Sequence, residues 1–150
     1  MKIKYVNGDL LNAPQKYIAH GVNCRGVMGA GVALAIKNKW PSVFTEYKKY
    51  CSTFYDVNSL LGQCNIAYVD NNRSVFNCFT QTDCGNTGLR YISYDAIAQC
   101  FGYINYLIKD EVDQIALPKI GAGLGGGDWN VIERIIESEC KNIQPYVYEI

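Results

Sequence analysis

A strand-like segment, a glycine-rich loop and a helix-like segment follow one another twice in this chain, and this order constrains the fold most. The first occurrence is YIAHGVNCRGVMGAG (17–31), which runs into the apolar helix GVALAIKNK (31–39). The second is QIALPKIGAGLGGG (114–127), which runs into a helix beginning at Asp128. Parallel strands need such helical crossovers, so the repeat predicts an α/β domain.

The remaining segments complete a three-layer α/β/α domain. Residues 64–69 and 74–80 read as strands joined by the turn DNNR, which favours an antiparallel hairpin. Further strands are predicted at 2–6 and 145–150, and further helices at 42–51 and 91–109. The helix after Asp128 is expected to bury four apolar residues, Val131, Ile132, Ile135 and Ile136. We expect a mixed, roughly six-stranded sheet in one domain spanning residues 1–150.

Charge and cysteine usage argue against several classes of function, although a balanced net charge leaves a local basic patch open. Fourteen basic residues balance fourteen acidic ones, without the basic surplus that nucleic-acid binders carry. The seven cysteines are odd in number and form no CxxC pair, and there is one histidine. This pattern is typical of free thiols in a reducing compartment and gives no metal-ligand spacing. We expect a cytoplasmic monomer with no cofactor, no metal, no nucleic-acid partner and no membrane segment.

The two glycine loops are candidates for phosphate binding. Glycine lets the backbone approach a ligand closely, and a helix N-terminus offers unpaired amides. Two such loops at one edge of a sheet suit a diphosphate. The second loop formally fits GxGxxG through Gly121, Gly123 and Gly126. A dinucleotide-binding fold is nevertheless excluded, because only one helix and one strand remain after that loop.

The motifs VNGDLL, AHGVNCRGVMGAGVA and LPKIGAGLGGGDW resemble those of the macrodomain family, which binds ADP-ribose. The resemblance covers essentially the whole chain, in order and spacing. HGVNCRGVMGAG, LLGQC and GAGLGGGDW are most similar to the small single-domain branch. That branch contains the ADP-ribose-1″-phosphate phosphatases and the terminal ADP-ribose glycohydrolases. The resemblance therefore implies a macrodomain fold and an ADP-ribose site.

That site is implied residue by residue. Asp9 matches the acidic residue that binds the adenine amino group, and Asn23 matches the residue that contacts the distal ribose. The first loop would flank the ribose and proximal phosphate, the second would wrap the diphosphate, and Tyr146 or Tyr148 would border the adenine. The full set of expected ligand contacts is Gly8, Asp9, Leu10, Asn23, Met28, Gly29, Ala30, Gly31, Val32, Ile120, Gly121, Ala122, Gly123, Leu124, Gly125 and Tyr148.

Each polar assignment has a structural alternative. Asp9 can be a turn aspartate, Asn23 can cap the loop backbone, and Tyr148 can pack on a helix. Asp128 stands where the last helix begins, so N-capping is its default role. His20 can be a half-buried strand residue without a catalytic function.

The catalytic candidates are His20 and Asp128. His20 is the one side chain that titrates near neutral pH, and the phosphatase branch has a histidine at this place. It could protonate a leaving oxygen or activate water, with Asp128 as a carboxylate partner. The glycohydrolase subgroup has a lysine where this chain has Gln81-Thr82-Asp83, and an aspartate where it has Gly125.

These departures favour hydrolysis of ADP-ribose-1″-phosphate. The alternatives are a non-catalytic ADP-ribose reader, a hydrolase of ADP-ribose attached to protein, and a hydrolase of another ADP-ribose-derived nucleotide. ADP-ribosylated protein is accordingly a further candidate partner.

Overall fold

The computed structural model describes residues 1–54, 56–70, 72–83, 91–108 and 113–150. Within them the strands are β1 (Lys4–Asn7), β2 (Tyr17–Asn23), β3 (Cys64–Tyr68), β4 (Ser74–Gln81), β5 (Gln114–Leu117) and β6 (Gln144–Glu149). The helices are α1 (Gly31–Lys39), α2 (Pro41–Cys51), α3 (Val57–Leu60), α4 (Tyr94–Leu107) and α5 (Trp129–Glu139). None of the helices in these ranges is long and apolar enough to cross a membrane.

The strands form one mixed sheet in the order β1-β6-β5-β2-β4-β3. All neighbouring pairs are parallel except β3 and β4, which form the predicted antiparallel hairpin. The carboxyl ends of β1, β6, β5, β2 and β4 therefore meet at one edge. This edge carries both glycine loops, as the strand-loop-helix repeat predicts.

The sheet is covered on both faces, which confirms the three-layer α/β/α prediction. Neighbouring residues of β2 serve opposite layers, since Ala19 packs into one core and Ile18 into the other. The first core contains residues of α4 and α5, including Phe101 and Ile132. The second contains residues of α1 and α2, including Ile36.

Several boundaries and one buried position differ from the prediction. Val131 is 37% exposed, because the buried stripe of α5 is centred on Ile132 and Ile136, which place Val131 on its flank. β5 ends at Leu117, where Pro118 removes a backbone donor. The short helix α3 and a 3-10 turn at Leu10–Asn12 were not predicted, because both are too short for apolar periodicity.

Candidate functional site

A cavity of about 470 Å³ lies at the carboxyl ends of β2 and β5, between the two glycine loops. Predicted site residues on its lining are His20, Asn23, Met28, Gly29, Ala30, Gly31, Val32, Ile120, Gly121, Gly123, Leu124 and Gly125. The structure thus brings together the central part of the predicted site. Gly8, Asp9, Leu10, Ala122, Asp128 and Tyr148 are not on this lining. The ligand contacts of all these residues stay predictions.

The first loop is held in place by Asn23 and Tyr47. Asn23 Nδ2 donates to the Val27 carbonyl at 3.0 Å, and Asn23 Oδ1 accepts from the Arg25 N–H at 2.9 Å. The buried Tyr47 hydroxyl lies 2.9 Å from Asn23 Oδ1 and accepts from the Gly26 N–H at 3.0 Å. Asn23 therefore organises the loop backbone, the structural alternative considered for it, whether or not it also contacts a ribose.

Tyr47, on α2, supports the site and was not among the residues predicted for it. Burial raises the pKa of its hydroxyl, so the hydroxyl stays protonated at neutral pH. Helical spacing in the sequence predicts that Tyr47 is buried. This spacing does not predict that the Tyr47 hydroxyl accepts a hydrogen bond from Gly26, twenty-one residues earlier in the chain.

The N-terminus of α1 opens toward the cavity. Its N-cap residue, Ala30, makes no side-chain hydrogen bond, and the cavity is lined by Gly31, Val32 and Ala33 of the first turn. The first N–H groups of an α-helix have no partner within the helix and carry partial positive charge. This helix end is therefore suited to bind an anion.

The N-terminus of α5, by contrast, is capped by a side chain of its own N-cap residue. Asp128 is its N-cap, and the carboxylate accepts from the Asn130 N–H at 2.9 Å. One of the free backbone amides at the start of α5 is therefore already satisfied by Asp128, unlike those at the start of α1. The predicted default role of Asp128 as a cap is confirmed.

The second loop has no room for a side chain at Gly125. A Cβ atom there would lie 2.5 Å from Ile92 Cγ2 and 2.9 Å from the Gly121 carbonyl oxygen. Gly121 itself has a φ of +79°, which favours glycine. The loop conformation thus requires glycine at the position where the glycohydrolase subgroup has aspartate. At Gly123, in contrast, nothing lies within 4 Å of such a Cβ.

His20 is only 1% exposed, although it contributes to the cavity lining. Its Nε2 lies 2.6 Å from Asn77 Oδ1, and Asn77 Nδ2 donates to Asn65 Oδ1 at 2.9 Å. Because Asn77 Oδ1 can only accept, His20 Nε2 carries the proton and Nδ1 is an acceptor. Nδ1 is buried without a hydrogen-bond partner among the described residues.

Burial lowers the pKa of His20 from its ordinary value of 6.5 to about 4, opposed by the hydrogen bond to Asn77. The imidazole is therefore neutral at pH 7. A neutral ring with an acceptor at Nδ1 can take a proton from water but cannot donate one there. Of the two roles expected for His20, this tautomer excludes proton donation from Nδ1 and leaves proton acceptance, for which a water must reach the buried Nδ1 atom. The pairing with Asp128 is not made.

The outer residues of the predicted site lie along the β1 and β6 strands. Asp9 Oδ1 accepts from the Leu11 N–H at 3.0 Å, so this exposed aspartate does cap a turn. The Tyr148 hydroxyl donates to Gln15 Oε1 at 2.7 Å, and the Tyr148 ring lies 3.8 Å from where a Cβ of Gly8 would stand. Gly8 and Tyr148 are thus neighbours, as a shared adenine site would need.

Gln81 lines the cavity at the end of β4 and was not predicted as a contact residue. Its Nε2 donates to the Asp83 carbonyl at 2.6 Å. No signal in the sequence indicates this contact, because it depends on β4 lying beside β2 and parallel to it. Gln81 belongs to the segment where the glycohydrolase subgroup has its lysine.

A sequence model of the Macro domain matches residues 19–136. The chain is 32% identical over 151 residues to an uncharacterized 17.5 kDa protein from the tk-vs intergenic region of Enterobacteria phage T4, covering 96% of this chain and 94% of that protein. It is 29% identical to an ADP-ribose 1″-phosphate phosphatase from Candida albicans, covering 99% of each. It is 31% identical to a DNA ADP-ribosyl glycohydrolase from Mycobacterium tuberculosis, covering 94% of this chain but only 39% of that protein.

Solved structures agree with these matches. A protein of unknown function from Bacteroides thetaiotaomicron superposes with a TM-score of 0.87 at 30% identity, covering 100% of this chain and 99% of that one. The macrodomain of Mycobacterium tuberculosis DarG superposes with a TM-score of 0.82 at 26% identity, covering 99% of this chain and 97% of that one.

Proposed function

This chain belongs to the macrodomain family, and from that premise we propose that its cavity binds ADP-ribose. The observation that carries the proposal is the cavity of about 470 Å³ between two glycine loops, one of them at the uncapped N-terminus of α1. Both features supply backbone amides that suit a diphosphate, and Lys119 is a basic residue on the same lining. The volume also lies within the range of small-ligand sites.

We further propose that the chain is a hydrolase that removes phosphate from ADP-ribose-1″-phosphate. The similarity to a Candida albicans phosphatase over nearly the whole of both chains supports this reaction. Water would add to phosphorus as the bond between phosphorus and the ribose oxygen breaks, and that oxygen would take up a proton from solvent, yielding ADP-ribose and inorganic phosphate. His20 Nδ1, a buried acceptor, would take the proton from that water.

A second candidate is removal of ADP-ribose from a macromolecule. Its support is the similarity to a protein named as a DNA ADP-ribosyl glycohydrolase, of which this chain spans 39%. Two features weigh against a lysine-dependent mechanism. Gln81-Thr82-Asp83 contains no lysine, and Gly125 cannot accept an aspartate without moving Ile92 or the loop.

Calorimetric titration with ADP-ribose tests the binding proposal, and phosphate release from ADP-ribose-1″-phosphate tests the reaction. Binding with release supports the phosphatase, whereas binding without release leaves a reader or the second candidate. ADP-ribosylated protein and ADP-ribosylated oligonucleotide, assayed for released ADP-ribose, separate those two. Failure to bind ADP-ribose would overturn both proposals.

His20→Gln is the variant that separates enzyme from reader. Glutamine keeps an N–H donor for Asn77, so it preserves the buried hydrogen bond that His20→Ala would remove. It cannot accept a proton. We expect it to keep ADP-ribose affinity and lose phosphate release, and retained release would exclude His20 as the base.

A further inference from the structure

Three cysteines meet in the layer between the β3–β4 hairpin and α4. The Sγ atoms of Cys64, Cys78 and Cys100 all lie within 4.8 Å of one another, and those of Cys64 and Cys78 are 3.7 Å apart. None of the three lines the cavity between the glycine loops. The cluster is therefore separate from the proposed ADP-ribose site.

The topology explains why residues so far apart in sequence converge. Cys64 on β3 stands directly opposite Cys78 on β4, so both side chains project from the same face of the hairpin. Cys100 lies in the buried stripe of α4, the helix that packs on that face. Two strands and one helix thus each contribute one thiol to a common point.

The spacing of the sulfur atoms suits one shared metal ion. Thiolate sulfur binds a first-row metal at about 2.3 Å, so three sulfurs in a trigonal plane around an ion are about 4.0 Å apart. The observed spacing, from 3.7 Å to at most 4.8 Å, brackets that value. A disulfide needs about 2.05 Å between sulfurs. The cluster is thus arranged as separate thiols.

We propose that Cys64, Cys78 and Cys100 bind a soft, thiophilic metal ion, and that Cu(I) is the ion the site fits. Thiolate ligands select Cu(I), zinc and iron–sulfur clusters. Structural zinc and iron–sulfur sites take four protein ligands, whereas Cu(I) is satisfied by three sulfurs. Within the described ranges, the group of side chains placed to hold an ion contains these three cysteines and no fourth ligand.

Access and proton release follow from the burial of the three thiols. Cys78 and Cys100 are fully buried, whereas Cys64 is partly exposed on β3, which is an edge strand. Cys64 is therefore the entry point for the ion. Each metal–sulfur bond that forms replaces an S–H bond, whose proton leaves to solvent without any change of oxidation state.

The test is a titration of the reduced, full-length chain with Cu(I) under anaerobic conditions against a colorimetric Cu(I) chelator. We expect one Cu(I) per chain, with three sulfur ligands by X-ray absorption. Cys64→Ala and Cys78→Ala should each weaken retention of Cu(I) by more than about tenfold.

Cys140→Ala is the matched control, since Cys140 is as fully buried as Cys78 but lies outside the cluster. Cys51→Ala and Cys84→Ala control for two of the three remaining thiols, Cys84 being outside the described residues. All three should retain Cu(I) like the unsubstituted chain, and circular dichroism should show each variant folded.

Three results would overturn the proposal: no Cu(I) retained by the unsubstituted chain, equal loss in Cys78→Ala and Cys140→Ala, or tighter binding of Zn²⁺ at a four-ligand site. ADP-ribose titration of the same samples is independent of all three. A chain that binds Cu(I) but not ADP-ribose would thus contradict only the proposed function.

Discussion

At the scale of single residues, His20 links burial to the pH dependence of stability. Its pKa is about 4 in the folded chain and 6.5 in an unfolded one, so the unfolded chain binds its proton first as the pH falls. The stability that the neutral ring provides is complete above pH 6.5 and lost progressively between about pH 6.5 and 4. This loss amounts to about 3 kcal/mol.

Urea unfolding at several pH values between 4 and 8 measures this loss. The sequence contains one histidine, so His20→Gln removes all histidine titration. We expect the variant to show a flatter pH profile above pH 5, where most carboxyl groups remain charged in both states. Identical profiles for the two proteins would contradict the burial of His20 and its lowered pKa.

Gly123 offers a way to block the cavity without disturbing the fold. A Cβ atom at this exposed position would meet nothing within 4 Å, and the φ of Gly123 is not positive. We expect Gly123→Val to change the free energy of unfolding by less than about 0.5 kcal/mol. The added methyl groups would occupy the space proposed for the diphosphate and lower ADP-ribose affinity by more than about tenfold.

The matched control is Gly102→Ala, a glycine in α4 that is not on the cavity lining. It should leave affinity unchanged and be stabilising if Glu139, 3.2 Å from the new Cβ, shifts slightly. Calorimetry and urea unfolding of the two variants check both expectations. Unchanged affinity in Gly123→Val would mean that the second loop does not contact the ligand.

At the scale of the helix, the cap on α5 separates a structural from a catalytic role for Asp128. Alanine removes the acceptor for the Asn130 N–H, so we expect Asp128→Ala to lose about 1 kcal/mol of stability. Asparagine caps about as well as aspartate but carries no charge. Asp128→Asn should therefore keep both stability and any phosphatase activity.

Thermal unfolding and phosphate release of the two variants test this expectation. A stable Asp128→Asn variant without activity would establish the catalytic role proposed from sequence. A similar loss of activity in both variants, with only Asp128→Ala destabilised, would also support a catalytic role for Asp128.

Elements were predictable from the sequence where one local rule determined them. Helix α1 was predicted at its observed bounds, Gly31–Lys39, because Pro41 follows an apolar run bounded by glycine. The β3–β4 hairpin followed from its turn residues. Contacts between distant elements were not predictable, because they depend on how the strands and helices pack together. Examples are the hydrogen bond from Gly26 to Tyr47, the hydrogen bond between His20 and Asn77, and the meeting of the three cysteines.

The candidate site shows the same division. Its two loops were identified from glycine spacing and from the family resemblance, and both line one cavity. The sequence also made capping the default role of Asp128. It could not show that capping leaves the N-termini of α1 and α5 unequal as anion sites, because that depends on which side chains reach the backbone amides.

At the scale of the whole molecule, charge balance bears on the choice of substrate. The formal net charge is zero, so the chain has no overall basic surplus to attract a phosphate backbone. We expect an ADP-ribosylated oligonucleotide to bind no more tightly than free ADP-ribose. The two affinities should fall with salt at the same slope.

Titrations of both ligands at several salt concentrations measure these slopes, with free ADP-ribose as the control for its own two phosphates. A steeper slope for the oligonucleotide would reveal a local basic surface. That outcome would contradict the expected absence of a nucleic-acid partner and favour the second candidate function.

Strand order also governs when the fold can close during synthesis. β1, made first, pairs with β6, made last, and β5 must insert between β6 and β2. The hairpin and α2 can pack early, because their contacts are local in the chain. The cavity is complete only after residues 121–125, which form its second side, have been synthesised and folded. A ligand held between the loops therefore stabilises finished chains only, and nascent or truncated ones gain nothing from its presence.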